Sequence, residues 1–485
     1  MKTPLSIILN PTLAHDSVLG KIVLQKFESL TPELRSTSDL NTISLPEKSD
    51  RSLFEVLSQP GGHFICEFKQ ASPTLGSIRE GDRIEDVVKE YAPFASAISV
   101  LTEKTHFKGD LNFIPLARQF CQHPILCKDF ILFPKQVVQA REYGADVVLL
   151  MLSVLQDDAY RACAAMAERL GVDVLTEVHS EDELTRALDL GAKIIGINNR
   201  DLSDLSIDLA STEKLVKRIP ADKRKHLRII SESGIRSRAD VVRLAPLVDG
   251  FLVGSSLMAE TRIDLKLRDL VFGQTKICGL SNSVDADLAY MAGARFGGMI
   301  LAQGSKRTIT PQRAAAIAKR TPLPLVAVFK DQAIDEVVET AQLASLHAVQ
   351  LHGSENDDYL ETLREKLPAS VEIWKTLHVT DHLPKPPAVP VNALLFENGN
   401  SKLSGGSGES FDWSLLESVA DTYKGYSSDQ LILAGGLNSD NIAQAMQTPI
   451  QRFDLASGVE SRPGFKDEKK IQQLFAAIKQ QTFKV

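Results

Sequence analysis

Seven charged or polar side chains in the first half of the chain follow short apolar runs, at points where buried strands would end. They are Glu67, Lys69, Lys128, Glu177, Asn198, Arg200 and Glu232. In a parallel sheet closed into a barrel, side chains at the carboxyl ends of the strands converge on one face. Lysines and carboxylates brought together perturb one another's pKa values, which suits proton transfer. Surface ion pairs explain any single member but explain the whole set poorly, so we predict an acid–base site.

Small-residue turns follow two of the apolar runs near the end of this half. Ser233-Gly234 comes after residues 227–230, and Gly254-Ser255 comes after residues 251–253. Glycine lets backbone N–H groups approach a ligand closely, and a helix that begins there directs its positive end at an anion. Two such turns after consecutive strands are typical of the phosphate site of a (β/α)8 barrel. For either turn alone, an ordinary strand-to-helix turn is the better interpretation.

The same pair of turns occurs again far downstream. Gly435-Gly436 follows an apolar run at residues 431–434, and Ser457-Gly458 follows a run at residues 453–456. Because the pattern occurs twice, we predict two barrels in one chain, each with a phosphate site. Together with the charged side chains, the turns predict a metal-free and cofactor-free acid–base enzyme that acts on a small phosphorylated compound.

Strand-length apolar runs alternate with amphipathic helical segments along the whole chain. The first eight predicted strands are residues 63–68, 97–101, 125–127, 147–150, 172–176, 193–197, 228–230 and 251–253. The second eight are residues 276–278, 298–301, 325–329, 348–351, 373–375, 393–396, 431–434 and 453–456. Eight strand–helix units in series predict a parallel sheet closed on itself. The predicted fold class is therefore α/β, with two tandem (β/α)8 TIM barrels.

Three further segments complete the predicted organisation. Apolar residues at helical spacing in residues 17–58 predict an N-terminal helical extension over one end of the first barrel. An amphipathic helix at residues 263–272, stopped by Gly273, predicts domains at residues 1–272 and 274–485. The Gly- and Ser-rich residues 398–410 predict a loop after the sixth strand of the second barrel, either a lid or a floppy surface loop.

Length and composition exclude several classes of protein. The 485 residues exceed what one hydrophobic core usually supports. The net charge of −7 comes from acidic and basic residues mixed throughout, which argues against nucleic acid or a membrane as partner. The five cysteines have no metal-ligand spacing, and no apolar run approaches the ~20 residues that span a bilayer. We expect a monomeric, cytoplasmic protein with reduced thiols and no cofactor.

The polar residues of the first half lie within longer motifs. These are Glu67-Phe-Lys69-Gln-Ala-Ser-Pro-Thr-Leu-Gly, Ile-Leu-Cys-Lys128-Asp-Phe, Leu-Thr-Glu177-Val, Gly-Ile-Asn198-Asn-Arg200-Asp-Leu, Ser-Glu232-Ser233-Gly234-Ile and Val-Gly254-Ser255-Ser-Leu-Met. Their types and order strongly resemble indole-3-glycerol-phosphate synthase, over nearly all of residues 17–270. The resemblance implies closure of an indole ring on 1-(2-carboxyphenylamino)-1-deoxyribulose 5-phosphate, with loss of CO2 and water.

The same resemblance implies a role for each residue. Lys128 is the acid that protonates the ketone oxygen, Lys69 holds the substrate carboxylate, and Glu177 is an acid–base residue for the later steps. Orientation of the sugar and of the lysines falls to Glu67, Asn198, Arg200 and Glu232. Phosphate binding falls to Ser233, Gly234, Gly254 and Ser255.

A second set of motifs lies between Lys276 and the C-terminus. They are Lys-Ile-Cys278-Gly-Leu, Ser305-Lys-Arg307, Val-Gln-Leu-His352-Gly, Gly405-Gly406-Ser-Gly408 with Phe-Asp-Trp413, Leu-Ala-Gly435-Gly436-Leu and Ser457-Gly458-Val-Glu460. This set resembles phosphoribosylanthranilate isomerase, which implies an Amadori rearrangement of N-(5-phosphoribosyl)anthranilate to the compound named above. The resemblance implies that Cys278 is the base and that Arg307 binds the anthranilate carboxylate. It implies substrate or phosphate contacts from His352, Gly406, Gly408, Gly435, Gly436, Ser457 and Gly458.

Two residues of this half, Cys278 and Glu397, are candidates for proton transfer. A lone cysteine is usually a small buried hydrophobic residue, but Cys278 ends a predicted strand facing the pocket, which favours function. Glu397 stands where the family has its catalytic Asp at the end of the sixth strand. The replacement keeps a carboxylate and adds one methylene, and we predict that Glu397 is a working general acid.

The two families catalyse consecutive steps of tryptophan biosynthesis, so we predict a bifunctional enzyme. One alternative keeps the first barrel active and makes the second a structural or regulatory partner, because Glu397 departs from the family pattern. Another is a Schiff-base aldolase that uses Lys128 as nucleophile. Borohydride reduction with substrate would trap a covalent adduct only in the aldolase case.

Overall fold

The computed structural model describes residues 7–38, 40–72, 76–79, 81–201, 205–399 and 410–483. The chain divides into two compact units, one of residues 1–270 with 482–485 and the other of residues 271–481. Each unit contains a closed barrel of eight strands. The predicted α/β class with two tandem (β/α)8 barrels is confirmed.

Eight parallel strands form the first barrel. They are β1 (His63–Phe68), β2 (Ala97–Leu101), β3 (Ile125–Lys128), β4 (Val147–Met151), β5 (Asp173–Val178), β6 (Ile194–Asn198), β7 (Arg228–Glu232) and β8 (Gly250–Val253). Each strand pairs with the next, and the pairing of His63 with Gly250 closes the ring between β1 and β8. The strands are almost entirely buried because helices cover the outer face of the barrel.

The helices of the first unit begin before the barrel. Helices α1 (Val18–Ser29) and α2 (Leu53–Leu57) precede β1. Those that follow are α3 (Ile84–Tyr91), α4 (Lys104–Phe107), α5 (Phe113–Arg118), α6 (Pro134–Glu142), α7 (Asp157–Arg169), α8 (Glu181–Asp189), α9 (Ala210–Val216), α10 (Ala221–Arg224), α11 (Arg238–Leu244), α12 (Ser255–Met258) and α13 (Ile263–Phe272). A short hairpin of Ala71–Ser72 and Gly76–Ser77 follows β1.

The second barrel repeats the parallel arrangement. Its strands are β9 (Lys276–Ile277), β10 (Phe296–Ile300), β11 (Leu325–Phe329), β12 (Ala348–Leu351), β13 (Glu372–Val379), β14 (Ala393–Asn398), β15 (Leu431–Ala434) and β16 (Arg452–Leu455). Pairing of Lys276 with Asp454 closes this ring. Its α-helices are α14 (Ser283–Ala292), α15 (Pro311–Ala318), α16 (Ile334–Leu343), α17 (Asp357–Lys366), α18 (Val419–Thr422), α19 (Ile442–Ala445) and α20 (Glu468–Thr482).

Shorter elements complete the second unit. Its 3-10 turns are Trp413–Ser418, Ser428–Gln430 and Ser457–Val459. A hairpin of Glu460–Arg462 and Phe465–Lys466 follows the last strand. The interior of the barrel is filled by Phe296, Val326, Ala348, Trp374, Ala393, Leu395, Ile432 and Ala434. These apolar layers support the strand ends, where the polar side chains stand.

All sixteen predicted strands are present, but several end later than the apolar runs suggest. The strand predicted at residues 373–375 extends to Val379, and β3 and β7 extend to Lys128 and Glu232. In these strands the apolar run stops where the polar side chains begin, but the backbone hydrogen bonding to the neighbouring strand continues past the end of the run. Local hydrophobicity therefore marks the buried part of a strand and misses its functional end.

The prediction of a helical segment over residues 17–58 was wrong in extent. Only Val18–Ser29 and Leu53–Leu57 are helical there. Pro32, Pro46 and many Ser and Thr residues lie between them, and these residue types disfavour helix. Among the described helices, none is long and apolar enough to cross a membrane.

Candidate active sites

A cavity of about 840 Å³ opens at the carboxyl ends of the strands of the first barrel. Nearly all the polar residues predicted for this barrel line it, namely Glu67, Lys69, Lys128, Glu177, Asn198, Arg200, Ser233, Gly234, Gly254 and Ser255. Glu232 reaches the same place through its contact with Lys128. Val18, Leu19 and Ile22 of α1 line the cavity as well, so the extension covers this face of the barrel.

Lys128, the last residue of β3, is surrounded by carboxylates. Its Nζ lies 2.5 Å from Oε2 of Glu232, 3.8 Å from Oε2 of Glu177 and 3.9 Å from Oε2 of Glu67. Burial by itself would lower the pKa of Lys128, but attraction to Glu232, Glu67 and Glu177 outweighs it and raises the pKa. The side chain is therefore an ammonium. A proton donor needs that form, whereas a Schiff-base nucleophile needs the free amine.

The carboxylates around this ammonium differ in their own tendency to hold a proton. Burial raises the pKa of Glu232 to about 7, and the charge of Glu177 adds to that effect while Lys128 opposes it. Burial also acts on Glu67, but Lys69 and Lys128 outweigh it and lower the pKa of Glu67. The Nζ of Lys69 lies 2.9 Å from Oε1 of Glu67. Glu232 is thus the carboxyl of this pair that can exchange a proton near neutral pH.

Space for Glu232 comes from a glycine on the neighbouring strand. A Cβ atom at Gly196 in β6 would lie 1.9 Å from Oε1 of Glu232. Sequence reasoning missed Gly196, although a glycine inside a buried strand is itself a sign of a close approach. Gly254 has a similar role, since a Cβ atom there would lie 2.4 Å from Oε1 of Glu67.

Glu177 in β5 has two neighbours besides Lys128. Asn198 donates through Nδ2 to Oε1 of Glu177 at 3.2 Å. Nε2 of His179 lies 3.5 Å from the same oxygen, and its Nδ1 lies 3.4 Å from Oε2 of Glu183. Burial lowers the pKa of His179, but its contact with Glu183 and the charges of Glu177 and Glu183 together raise it. Sequence reasoning missed His179, which stands two residues after Glu177.

The predicted phosphate turns of the first barrel lie on this cavity too. Ser233 adopts the left-handed backbone conformation, with φ of 64°, directly after β7. Helix α12 begins at Ser255, so backbone N–H groups of its first turn point out of the N-terminal end of the helix. Arg200 follows β6, and its backbone N–H donates to Oδ1 of Asn198 at 3.0 Å.

In the second barrel, Cys278 directly follows β9 and its thiol contacts a buried lysine. The Nζ of Lys276 lies 3.2 Å from Sγ of Cys278, 2.7 Å from Oε1 of Gln350 and 2.7 Å from Oδ2 of Asp454. Burial and the charge of Asp454 raise the pKa of the Cys278 thiol, and Lys276 opposes them. The thiol form is therefore favoured at rest, and Lys276 is the neighbouring cation that stabilises the thiolate.

Arg307 is buried against a carboxylate that sequence reasoning did not choose as a site residue. Its Nε and Nη2 donate to Glu460, at 2.9 Å to Oε1 and 2.7 Å to Oε2. Lys466 also lies 3.0 Å from Oε1 of Glu460. Glu460 closes the motif that contains Ser457 and Gly458, so its place in the motif was the available signal. The hydrogen bonds to Glu460 raise the pKa of Arg307, so its guanidinium stays charged.

Glu397 lies within β14, and its carboxylate faces His352. Oε2 of Glu397 is 3.2 Å from Nε2 of His352. Burial lowers the pKa of His352 to about 3, so the imidazole is neutral and the contact is not an ion pair. His378 on β13 packs edge-on against the ring of His352, at 5.1 Å between centroids. These three side chains are the ones here that could hold a metal ion.

The glycine turns of the second barrel meet at the ends of its last two strands. Gly435 and Gly436 follow β15 with φ of 87° and 66°. A Cβ atom at Gly458 would lie 2.0 Å from the carbonyl oxygen of Leu437, so the turn of Ser457 and Gly458 packs directly on the first turn. Gly406 and Gly408, and most of the predicted loop at residues 398–410, lie outside the described residues.

Comparison with known proteins gives two consistent results. Residues 19–270 match the family described as indole-3-glycerol phosphate synthase, and residues 275–477 match the family described as N-(5'phosphoribosyl)anthranilate isomerase. The tryptophan biosynthesis protein TrpCF of Vibrio cholerae is 44% identical over 462 residues, covering 95% of this chain and 96% of that protein. The TrpCF protein of Salmonella typhi is 42% identical over 466 residues, covering 96% of this chain and 99% of that protein. The crystal structure of phosphoribosyl anthranilate isomerase from Thermus thermophilus is 33% identical and covers 42% of this chain and 97% of its own, with a TM-score of 0.37.

Proposed function

The chain belongs to the family of tryptophan biosynthesis proteins that join an indole-3-glycerol phosphate synthase to an N-(5'-phosphoribosyl)anthranilate isomerase, and on that basis we propose which residues carry each reaction. It is a bifunctional enzyme. The second barrel isomerises N-(5-phosphoribosyl)anthranilate to 1-(2-carboxyphenylamino)-1-deoxyribulose 5-phosphate. The first barrel converts that product to indole-3-glycerol phosphate, CO2 and water.

In the second barrel, we assign Glu397 as the acid and Cys278 as the base. Glu397 protonates the ribose ring oxygen as the bond from that oxygen to the anomeric carbon breaks, which leaves an iminium ion. Cys278 then removes the proton from the adjacent carbon, and the enolamine becomes the ketone. Lys276 is a positioning residue, because its ammonium favours the thiolate that must form. The contact of Lys276 with Cys278, at 3.2 Å, supports this assignment.

We also assign the binding groups of this barrel. Arg307 binds the anthranilate carboxylate and His352 contacts the substrate. The phosphate is bound by Gly435, Gly436, Ser457 and Gly458 in the two turns, together with Gly406 and Gly408. The packing of Gly458 on Leu437 supports a single phosphate site made from two turns. Such turns present backbone N–H groups to an anion.

In the first barrel, we assign Lys128 as the general acid. The anilino ring carbon attacks the ketone, and the Lys128 ammonium donates a proton to the oxygen on which negative charge develops. Loss of CO2 restores the aromatic ring, and loss of water then completes the indole. Lys69 holds the carboxylate that leaves, and Glu177 transfers protons in the dehydration. The observation that carries this assignment is the position of Lys128 among three carboxylates in a cavity that fits a substrate of this size.

The remaining residues of the first barrel orient these groups or bind phosphate. Glu67 and Glu232 hold the two lysines, and Asn198 and Arg200 contact the sugar. Ser233, Gly234, Gly254 and Ser255 bind the phosphate with backbone N–H groups. The presence of these residues around one cavity supports the assignment.

A steady-state assay of both reactions on the intact chain tests this proposal. We expect turnover of both substrates, and each reaction should be sensitive to substitutions in its own barrel only. Synthase activity without isomerase activity would mean that the second barrel is a structural partner. Borohydride reduction with substrate should leave Lys128 unmodified, since its ammonium form does not attack carbonyl groups.

We further propose domains at residues 1–272 and 274–485, a monomeric state and a cytoplasmic location. The separate barrels support the boundary, and the five buried free cysteines suit a reducing compartment.

Phe483 packs on Phe64 and Phe251 in the first unit, so a fragment ending at residue 272 loses that contact. We expect both fragments to fold alone, with a lower melting temperature for residues 1–272 than for the first unit of the full-length chain, and Phe483→Ala in the full-length chain should reproduce that decrease. Fragments that are soluble only when co-expressed would disprove the boundary, and light scattering on the full chain tests the monomer.

A further inference from the structure

His352, His378 and Glu397 come together at the mouth of the second barrel. They stand at the carboxyl ends of three consecutive strands, β12, β13 and β14. The register places His378 directly opposite Glu397 on the neighbouring strand. One ligand atom from each side chain lies within 4.8 Å of the other two. Among the described residues, this is the one group of three His, Cys, Asp or Glu side chains that lie so close.

The donor set fits a divalent transition metal. Two imidazole nitrogens and one carboxylate oxygen, with further positions open, make up the protein ligands of several catalytic zinc sites. Oε2 of Glu397 and Nε2 of His352 are 3.2 Å apart. Two ligands bonded to one tetrahedral Zn²⁺ at ~2.0 Å stand roughly 3.3 Å from each other. These two atoms therefore already have the spacing that a shared ion requires.

Both imidazole rings are held by contacts of the kind found behind metal-bound histidines. Nδ1 of His352 lies 3.2 Å from Oγ1 of Thr376, which leaves Nε2 to face Glu397. Nε2 of His378 lies 3.2 Å from the backbone carbonyl oxygen of His352, so Nδ1 is the ring nitrogen that this contact leaves available to an ion. A metal-ligating histidine usually uses its second nitrogen in such a bond, which orients the ring and selects the tautomer. Exposure of His378 gives an ion access from solvent.

We propose that His352, His378 and Glu397 form a binding site for a divalent transition-metal ion of the zinc class, and that the bound ion inhibits the isomerase. This site departs from the sequence-based expectation of a metal-free protein. The inhibitory part rests on the proposed function, because a carboxylate bound to Zn²⁺ cannot hold the proton that the general acid must donate. Binding of the ion displaces that proton from Glu397 and releases it to solvent. The synthase barrel has a separate site and is unaffected.

Binding is tested on the full chain after removal of metal with a chelator and dialysis. Zn²⁺ is titrated by calorimetry, and Co²⁺ is titrated while its visible absorption reports the coordination geometry. We expect one equivalent to bind, and we expect His378→Gln to weaken binding about tenfold or more, since even the loss of an outer contact costs that much. His382→Gln is the matched control, because His382 is an exposed histidine close in sequence and outside the group. Absence of binding, or binding unchanged by His378→Gln, overturns the site.

Inhibition is tested by measuring both reactions with and without saturating Zn²⁺, each variant being compared with its own metal-free rate. We expect a loss of about tenfold or more in isomerase rate for the wild type and for His382→Gln, a far smaller loss for His378→Gln, and no change in synthase rate. Binding without loss of isomerase rate overturns the inhibition. A metal-free protein that lacks isomerase activity overturns the proposed function instead, and the calorimetry still decides whether the site exists.

Discussion

Each barrel has a lysine in its candidate site, and the two lysines differ in their exposure to the cavity and in the groups they contact. The side chain of Lys128 in the first barrel is 15% exposed and borders the cavity, whereas that of Lys276 in the second is 1% exposed. Lys128 contacts three carboxylates, while Lys276 contacts a carboxylate, an amide and the thiol of Cys278. An ammonium that reaches the cavity can give a proton to a substrate. A buried ammonium acts only through the groups that it contacts, and here it opposes the rise in the pKa of the Cys278 thiol.

This difference shows how one fold supports two reactions. The strand order and the small-residue turns after the last two strands are alike in the two barrels, so the fold supplies position. The chemistry comes from the side chains at the strand ends, which place three carboxylates around Lys128 but a thiol, an amide and one carboxylate around Lys276. Function therefore lies in the site and not in the fold.

Removal of Lys128 should have the largest effect. Lys128→Ala should lower synthase kcat by about a thousandfold or more and leave the isomerase rate unchanged, because the ammonium stabilises a transition state in one barrel only. Steady-state kinetics on the full chain measure both rates, and Lys193→Ala is the control for an exposed lysine. Equal losses in both reactions would indicate damage to the fold and would contradict the assigned difference between Lys128 and Lys276.

Glu397 should be nearly as important to the other barrel. Glu397→Gln should lower isomerase kcat by about a hundredfold or more with synthase activity intact, because the amide cannot donate the required proton. Glu397→Asp should retain most of the activity, since the shorter acid restores the carboxyl group. An isomerase rate for Glu397→Gln equal to that of the wild type would place the acid elsewhere.

Removing a positive or a negative charge next to Cys278 should shift the pH dependence of isomerase activity in opposite directions. Lys276→Gln removes the group that opposes the raised thiol pKa, so the rise of activity with pH should move to higher pH, with a loss of about tenfold near neutrality. Asp454→Asn removes a charge that raises this pKa and should move the rise to lower pH. The pH dependence of kcat/KM and of Cys278 alkylation measures both shifts. Shifts of the same sign would refute the assigned role of Lys276.

The smallest effect is expected at His179, in the stability of the first unit. The folded pKa of His179 is raised, so its ion pairs stabilise the fold below the ordinary value of 6.5, and the stabilisation is lost as pH rises through the folded pKa. His179→Gln should therefore lower the urea midpoint at low pH more than at high pH. Exposed His226 offers the control variant His226→Gln. A difference in urea midpoint between His179→Gln and the wild type that grows as pH rises would contradict the stabilising role of the His179 ion pairs.

The sequence by itself determined the strand positions, both pairs of small-residue turns and which charged side chains directly follow the apolar runs. Each of these depends on a short local pattern: an apolar run, a glycine turn, or a charged residue directly after a run. Local patterns failed where context was needed. The helical spacing within α1 does not continue beyond Ser29, where prolines and hydroxyl side chains prevent a continuous helix.

The tertiary structure alone decided which of these side chains act together. Glu232 holds Lys128 across 104 positions of sequence, and Arg307 binds Glu460 across 153. Gly196 makes room for Glu232, and the register of β13 and β14 sets His378 against Glu397. The physical reason is that partners at a barrel mouth are chosen by strand register and by the stagger around the ring. Neither quantity is encoded in the few residues that define a strand end.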